Sequence, residues 1–109
     1  MSFTEHNVNG LIFDTSDAIS AAGGVVHAFT TRHGGVSPAP FDSLNLASNR
    51  GDREENILEN YRRLGAAVGF APEQTVFTKQ EHTDTILRVG RADCGTGLSR
   101  EQAVVCDGL

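Results

Sequence analysis

Two cysteines in 109 residues, Cys94 and Cys106, are too few for the disulfide framework of a small secreted domain. A reducing cytoplasm is the expected setting. No basic stripe with interleaved aromatics occurs, and the formal net charge is −5. That removes the electrostatic reason to expect nucleic acid as a partner. No apolar run approaches the length needed to cross a bilayer, so no membrane partner is expected. The opening "MSFTEHNVNG" shows no charged leader, apolar core and small-residue cleavage site, so no signal peptide is read there. Repeats, low-complexity tracts and linkers are missing too. No Walker loop, HExxH or GxSxG occurs, which removes the simplest routes to phosphate binding, zinc proteolysis and serine hydrolysis.

What is present suits a folded domain. The apolar share is 39% and the charged share 21%, and the length is that of one ordinary domain. "LIF" at 11–13 reads as a short strand. "VVHAFTTR" at 25–32 alternates, with Val26, Ala28 and Thr30 on one face and Val25, His27 and Phe29 on the other, which predicts a half-buried strand. Residues 32–52 are rich in Gly, Pro, Ser, Asn and Asp and predict a long irregular loop, a kind of segment that is often functional. Asp52 is the expected N-cap of a following helix, with Glu55 as its capping-box partner. Ile57, Tyr61, Leu64 and Val68 form one apolar stripe, and Gly69 can end the helix in the left-handed conformation. "TVFTKQ" and "TILRV" predict two strands joined at "EHTD", and "VGRADCGTGLSREQ" a polar excursion. "AVVCDGL" predicts another strand, and a chain that stops inside an apolar element is expected to be a fragment. These elements predict an α/β or α+β fold, a mixed β-sheet layered with helices.

His82 is the residue with the most chemistry to offer. By period two, Val76, Thr78, Gln80 and His82 share a strand face, so Gln80 and His82 are expected to project together where the strand opens into a loop. An imidazole there could ligate zinc or move a proton; alternatively it is a surface histidine with no such task. A catalytic zinc takes three protein ligands, and the chain does not supply them in any readable pattern. His27 is on another strand, His33 in the loop and His6 near the terminus. Cys94, twelve residues past His82, does not make a metal motif with it.

Taken in order, "HAFTTRHGGVS", "FDSLNL", "GDREENILENYRRL", "KQEHTDTI" and "CDGL" are more specific than any one of them. Together they resemble the front part of the multicopper polyphenol oxidase, or laccase-domain, family, whose members are regarded as zinc-dependent purine nucleoside enzymes. The family pattern runs H-G-F-x-T-R-x-G-G-V-S, Y-x-S-L-N-L, G-D, an E-N-R helix, Q-V-H and D-G-L-V-T, and the match extends from about residue 25 to the end. The resemblance implies that residues 1–109 are the N-terminal part of a larger single domain whose C-terminal half is absent. It implies a zinc site in which His82 is one ligand. A cysteine of a D-C segment and a histidine of an H-A-G-W-R-G segment, both expected after Leu109, complete that site. "ADC" at 92–94 precedes Asp107-Gly108-Leu109, whereas the family's D-C follows, so Cys94 is not read as a ligand.

Other positions carry over as substrate-binding candidates: Arg32, Gly34, Gly35, Ser43, Asn45, Asn60 and Gln80. A guanidinium beside a Gly-Gly turn suits phosphate, although Arg32 could equally anchor the loop through backbone carbonyls. Ser43 and Asn45 could bind substrate or hold the loop. Tyr61 stands where the family most often has Arg, and Arg62 is one position, about 100°, around the helix from it. Glu81 and Ala28 also depart from the pattern. The implied activity is phosphorolysis of purine nucleosides such as adenosine and inosine, with adenosine deamination as a further expectation, so nucleoside and phosphate are the expected partners. This chain alone, lacking two ligands, is expected to be inactive. Two alternatives stand beside it: copper-dependent oxidation of phenols, which four histidines support little, and a non-catalytic half-domain that self-associates into a homo-oligomer through a sheet edge.

Overall fold

The computed structural model describes residues 2–47, 50–98, 100 and 102–109. Ser48 and Asn49 of the long loop, and Ser99 and Glu101 of the polar excursion, lie outside the described residues. The chain divides into two compact units, Met1–Phe70 and Ala71–Leu109. It is a mixed α/β structure.

The first unit opens with a hairpin. β1 (Phe3–Val8) pairs antiparallel with β2 (Leu11–Ser16), and Val8 faces Leu11 across a two-residue turn. Asn9 and Gly10 both take positive φ, 53° and 89°, which is what a tight Asn-Gly hairpin turn demands. The Asn-Gly dipeptide is the local signal for the hairpin, which adds β1 to the strand expected at 11–13. Across the hairpin, His6 stacks on Phe13, and His6 Nε2 lies 2.9 Å from Thr15 Oγ1. A short helix, α1 (Asp17–Ala22), follows, with Ser16 as its N-cap.

The expected strand over 25–32 shrinks to β3 (Phe29–Thr30), paired antiparallel with β2 to give the sheet order β1-β2-β3. Val25 and Val26 are 63% and 68% exposed, so the alternation there does not mark a buried face. Sequence alternation reports burial only where a neighbouring strand exists to pair with, and β2 offers β3 just two partners.

α2 (Glu54–Val68) is the long helix expected. Its stripe buries Ile57, Tyr61 and Leu64, with Val68 partly buried. Leu64 joins Leu11, Phe13 and Leu44 in the core, where Ala28, Leu46, Ala67 and Val68 pack against it. Gly69 ends the helix at φ 109°, and the Phe70 N–H turns back to the Gly65 carbonyl at 3.0 Å. The start of the helix differs from expectation. Arg53 is the N-cap, and Glu55 pairs with the Arg53 guanidinium at 3.3 Å instead of closing a capping box. Asp52 precedes the N-cap, and its carboxylate bonds both the loop, through Ser37 and Asn45, and the helix start, through Arg53 and Asn56.

The second unit contains two 3-10 turns, Pro72–Gln74 and Arg91–Asp93, among its described residues. The strands expected at "TVFTKQ", "TILRV" and "AVVCDGL" are extended segments joined by single parallel bridges, Lys79 to Val105 and Ile86 to Gly108. Val104 and Cys106 are buried, and Val105 between them is exposed, so the final segment keeps the period-two pattern without a full ladder.

Candidate functional site

The irregular loop of the first unit is organised around Asn60, which is fully buried on α2. Its Oδ1 accepts the Val36 N–H at 2.8 Å, and its Nδ2 donates to Ser37 Oγ at 3.0 Å and to the Asn45 carbonyl at 2.8 Å. A buried amide must place its donors and acceptor, and Asn60 places all of them on the loop. Ser37 Oγ in turn donates to Asp52 Oδ2 at 2.5 Å. Asp52 also accepts from Asn45 Nδ2 at 3.1 Å, Asn56 Nδ2 at 3.0 Å and the Arg53 N–H at 2.8 Å. These bonds, the one from Ser37 foremost and that from Asn56 next, lower the Asp52 pKa to about 2. Tyr61 adds a clamp, its hydroxyl donating to the Leu46 carbonyl at 2.7 Å, and burial raises its pKa to about 12.

Ser43 ties the two ends of the "RHGGVSPAPFDS" segment. Its Oγ donates to the Arg32 carbonyl and accepts the Gly35 N–H, both at 3.1 Å, while the Ser43 and Leu44 N–H groups donate to that same carbonyl at 2.8 and 2.9 Å. The two glycines are explained by space. Gly34 sits at φ 102°, and a Cβ there would lie 2.2 Å from Leu11 Cα. A Cβ on Gly35 would lie 2.1 Å from the Ser43 carbonyl oxygen and 2.6 Å from Asn60 Oδ1. The pair lets the loop lie directly on β2 and α2.

Arg32 stands at the edge of this frame. Its Nε donates to the Asp42 carbonyl at 3.2 Å, and its Nη2 lies 3.6 Å from Asp42 Oδ2. The side chain remains 69% exposed, so the guanidinium holds the loop and still faces solvent. Arg62 is turned elsewhere, paired with Glu59 through two contacts of 2.6 Å. It lines a cavity of about 450 Å³ with Val8, Asn9, Leu11 and Gly34.

His82, in the second unit, is exposed and lies at φ 62°. It therefore leaves the extended path, and the expectation that Gln80 and His82 share one strand face does not hold. Strand periodicity needs extended backbone at every step, and a left-handed residue ends it. The turn is pinned by Asp107. Oδ1 accepts the Glu81 N–H at 3.1 Å and the His82 N–H at 2.7 Å, and Oδ2 accepts the Thr83 N–H and Thr83 Oγ1, both at 2.6 Å. The Thr83 hydroxyl, then these backbone donors, hold the Asp107 carboxyl below its ordinary pKa. Asp107 belongs to "CDGL", but nothing in that short stretch shows what its carboxylate faces. Gln80 is exposed. The Cys94 thiol donates to the Gln74 carbonyl at 3.4 Å, and Cys106 is buried.

Among the described residues, no three His, Cys, Asp or Glu side chains gather to hold a metal ion. His27 Nε2 accepts the Ser16 N–H at 2.8 Å, which assigns its proton to Nδ1 and commits it to the first unit's fold. His82 has its backbone N–H satisfied by Asp107 and its side chain exposed. Among the described residues, no helix is long and apolar enough to cross a membrane.

Residues 26–109 match the family described as multi-copper polyphenol oxidoreductase laccase. This chain belongs to that family. A relative in Corynebacterium glutamicum, named a purine nucleoside phosphorylase, is 38% identical over 78 residues, which are 71% of this chain and 32% of the relative. A protein of the same name in Deinococcus radiodurans is 48% identical over 58 residues, 53% of this chain and 22% of the relative. The chain therefore spans a third or less of these curated relatives. The crystal structure of YlmD from Geobacillus stearothermophilus superposes with a TM-score of 0.76 at 31% identity, covering 96% of this chain and 37% of YlmD. The Bacillus licheniformis protein YfiH, described as hypothetical, gives the same TM-score at 25% identity and covers 97% of this chain. The family's description speaks of copper, whereas the named relatives speak of nucleosides.

Proposed function

We propose that this chain contributes to phosphorolysis of purine nucleosides, with adenosine deamination as a second activity of the same centre. His82 is the zinc ligand this chain provides. The observation that carries the reading is the His82 turn: an exposed imidazole on a backbone fixed by three hydrogen bonds to Asp107, with a fourth from the Thr83 hydroxyl, in a chain whose relatives are named purine nucleoside phosphorylases. A cysteine and a histidine from outside these residues complete the ligand set. Zinc, when bound, supplies a Lewis acid and lowers the pKa of a bound water.

Phosphorolysis breaks the glycosidic C–N bond and forms a C–O bond to phosphate, so the reaction needs a cation that recognises phosphate oxygens. Arg32 is the candidate in this chain, since its guanidinium is exposed and oriented by Asp42. Gln80 is exposed and remains a candidate for contact with the nucleoside. Asn60, Ser43 and Asn45 support the reading indirectly: with Gly34 and Gly35 they build the loop next to Arg32, and the polar atoms of Asn60 are committed to that loop. Copper chemistry gains little support, because His6 and His27 are engaged inside the first unit.

The test is His82→Ala in the protein at its full natural length. Zinc per protein, by elemental analysis, and phosphate-dependent release of hypoxanthine from inosine are both expected to fall by about tenfold or more. Retention of zinc and turnover would show that His82 is not a ligand.

A further inference from the structure

We infer that Asp107 is the positioning residue for His82: its carboxylate holds residues 81–83 in the turn that presents the imidazole, and through that turn it sets metal affinity. The inference rests on the reading of His82 as a ligand.

Three consecutive backbone N–H groups seldom converge on one acceptor. In an extended segment they point to alternate sides, and in a helix they run parallel to the axis toward separate carbonyls. At Glu81, His82 and Thr83 they converge on one side chain, at 3.1, 2.7 and 2.6 Å. The left-handed φ of 62° at His82 produces the convergence, forming a concave set of donors of the kind that binds anions. A histidine adopts that conformation reluctantly, because its Cβ crowds the backbone there. The bound carboxylate stabilises it, and the Thr83 hydroxyl adds a fourth donor at 2.6 Å.

Asp107 is itself held from both sides of the turn. Its own N–H and that of Gly108 donate to the Thr85 carbonyl at 3.0 and 3.2 Å. Before it, the Cys106 N–H donates to the Lys79 carbonyl at 3.2 Å. After it, the Leu87 N–H donates to the Gly108 carbonyl at 3.0 Å. The carboxylate is thus carried on a segment bonded both upstream and downstream of residues 81–83. Groups that orient a metal ligand usually grip its other ring nitrogen. This one grips the ligand's backbone and leaves both ring nitrogens to the metal and solvent.

The test compares wild type, Asp107→Asn, Thr83→Val and His82→Ala at full natural length. Zinc affinity is read by competition with a chelator, and amide hydrogen exchange at residues 81–83 is read in the metal-free protein. An amide in place of the Asp107 carboxylate would aim an NH₂ group at donors that now meet an oxygen. Asp107→Asn is expected to speed exchange at 81–83 and weaken zinc binding by about 10–100-fold, the range for residues that orient ligands. Thr83→Val removes one of four donors and is expected to weaken it less. Faster exchange with zinc affinity unchanged would leave Asp107 a purely structural residue and overturn the inference. If Asp107→Asn does not fold, Thr83→Val decides, and unchanged affinity overturns. His82→Ala separates the two claims. If it keeps zinc affinity, the ligand assignment falls and this inference falls with it. If it loses zinc while Asp107→Asn binds normally, this inference falls alone.

Discussion

Asp52 in the first unit and Asp107 in the second each collect four hydrogen bonds, from different kinds of donor. Asp52 takes three from side chains, Ser37, Asn45 and Asn56, and one from the Arg53 backbone. Asp107 takes three from backbone N–H groups and one from the Thr83 hydroxyl. A carboxylate that binds side chains ties separate segments together and consumes their polar groups. A carboxylate that binds mainly backbone shapes one turn and leaves the side chains of Glu81 and His82 exposed. The first loop is therefore a frame with Arg32 at its rim, and the second turn displays His82.

The largest expected effect falls on the frame. Asn60→Leu would strand the Val36 N–H and the Asn45 carbonyl, each costing about 1–3 kcal/mol when left without a partner, and would take one donor from the Ser37 hydroxyl, which keeps its bond to Asp52. Denaturant unfolding is expected to show a loss of about 3 kcal/mol or more. A smaller loss would mean that water reaches the loop and that the two aspartates differ less than their donors imply.

Glycines sharpen the comparison at the next size. Gly35→Ala places a Cβ against backbone that cannot move aside and is expected to cost about 2 kcal/mol. Gly90→Ala in the second unit meets nothing within 4 Å at φ −147°, so its change is expected to stay within about 0.5 kcal/mol. Equal effects at both sites would show that the first loop is not the tighter of the two.

The smallest effect is a pH dependence. Asp52 has a folded pKa of about 2, below the ordinary value of 3.8, so its stabilising contribution is present above about pH 4. It is lost as pH falls through about 2. Tyr61 is the only tyrosine and tryptophan is absent, so near-ultraviolet circular dichroism at roughly 280 nm reports mainly on this unit. The signal is expected to change between about pH 4 and pH 2, and Asp52→Asn is expected to shrink that change, the remainder coming from Glu59, whose hydrogen bonds from Arg62 and Arg63 also lower its pKa to about 2. A transition unaltered in the variant would place the acid sensitivity elsewhere.

Much of the first unit was legible. The apolar stripe of α2, its end at Gly69 and the irregular loop follow from local chemistry: 3.6-residue periodicity, a left-handed glycine and a run of turn formers. The Asn-Gly turn is equally local. The alternation over 25–32 exceeds the strand that forms, because β2 pairs with only Phe29 and Thr30. In the candidate site, a family resemblance and an imidazole's chemistry single out His82, but nothing local signals its left-handed backbone. Asp107 stands in the "CDGL" motif, and its bonds to residues 81–83 are visible only in the fold.

The local order of residues fixes the long helix that organises the first unit and marks Arg32 and His82 as candidates for chemistry. Those depend on residue type and on spacing within a few turns of chain. The tertiary structure alone decided which polar groups are used up and which are displayed. Asn60 reaches back 24 residues to the Val36 N–H, and Asp107 reaches back 25 to that of His82. A hydrogen bond selects its partner by distance and direction in space, and at such separations neither is written in the local order of residues.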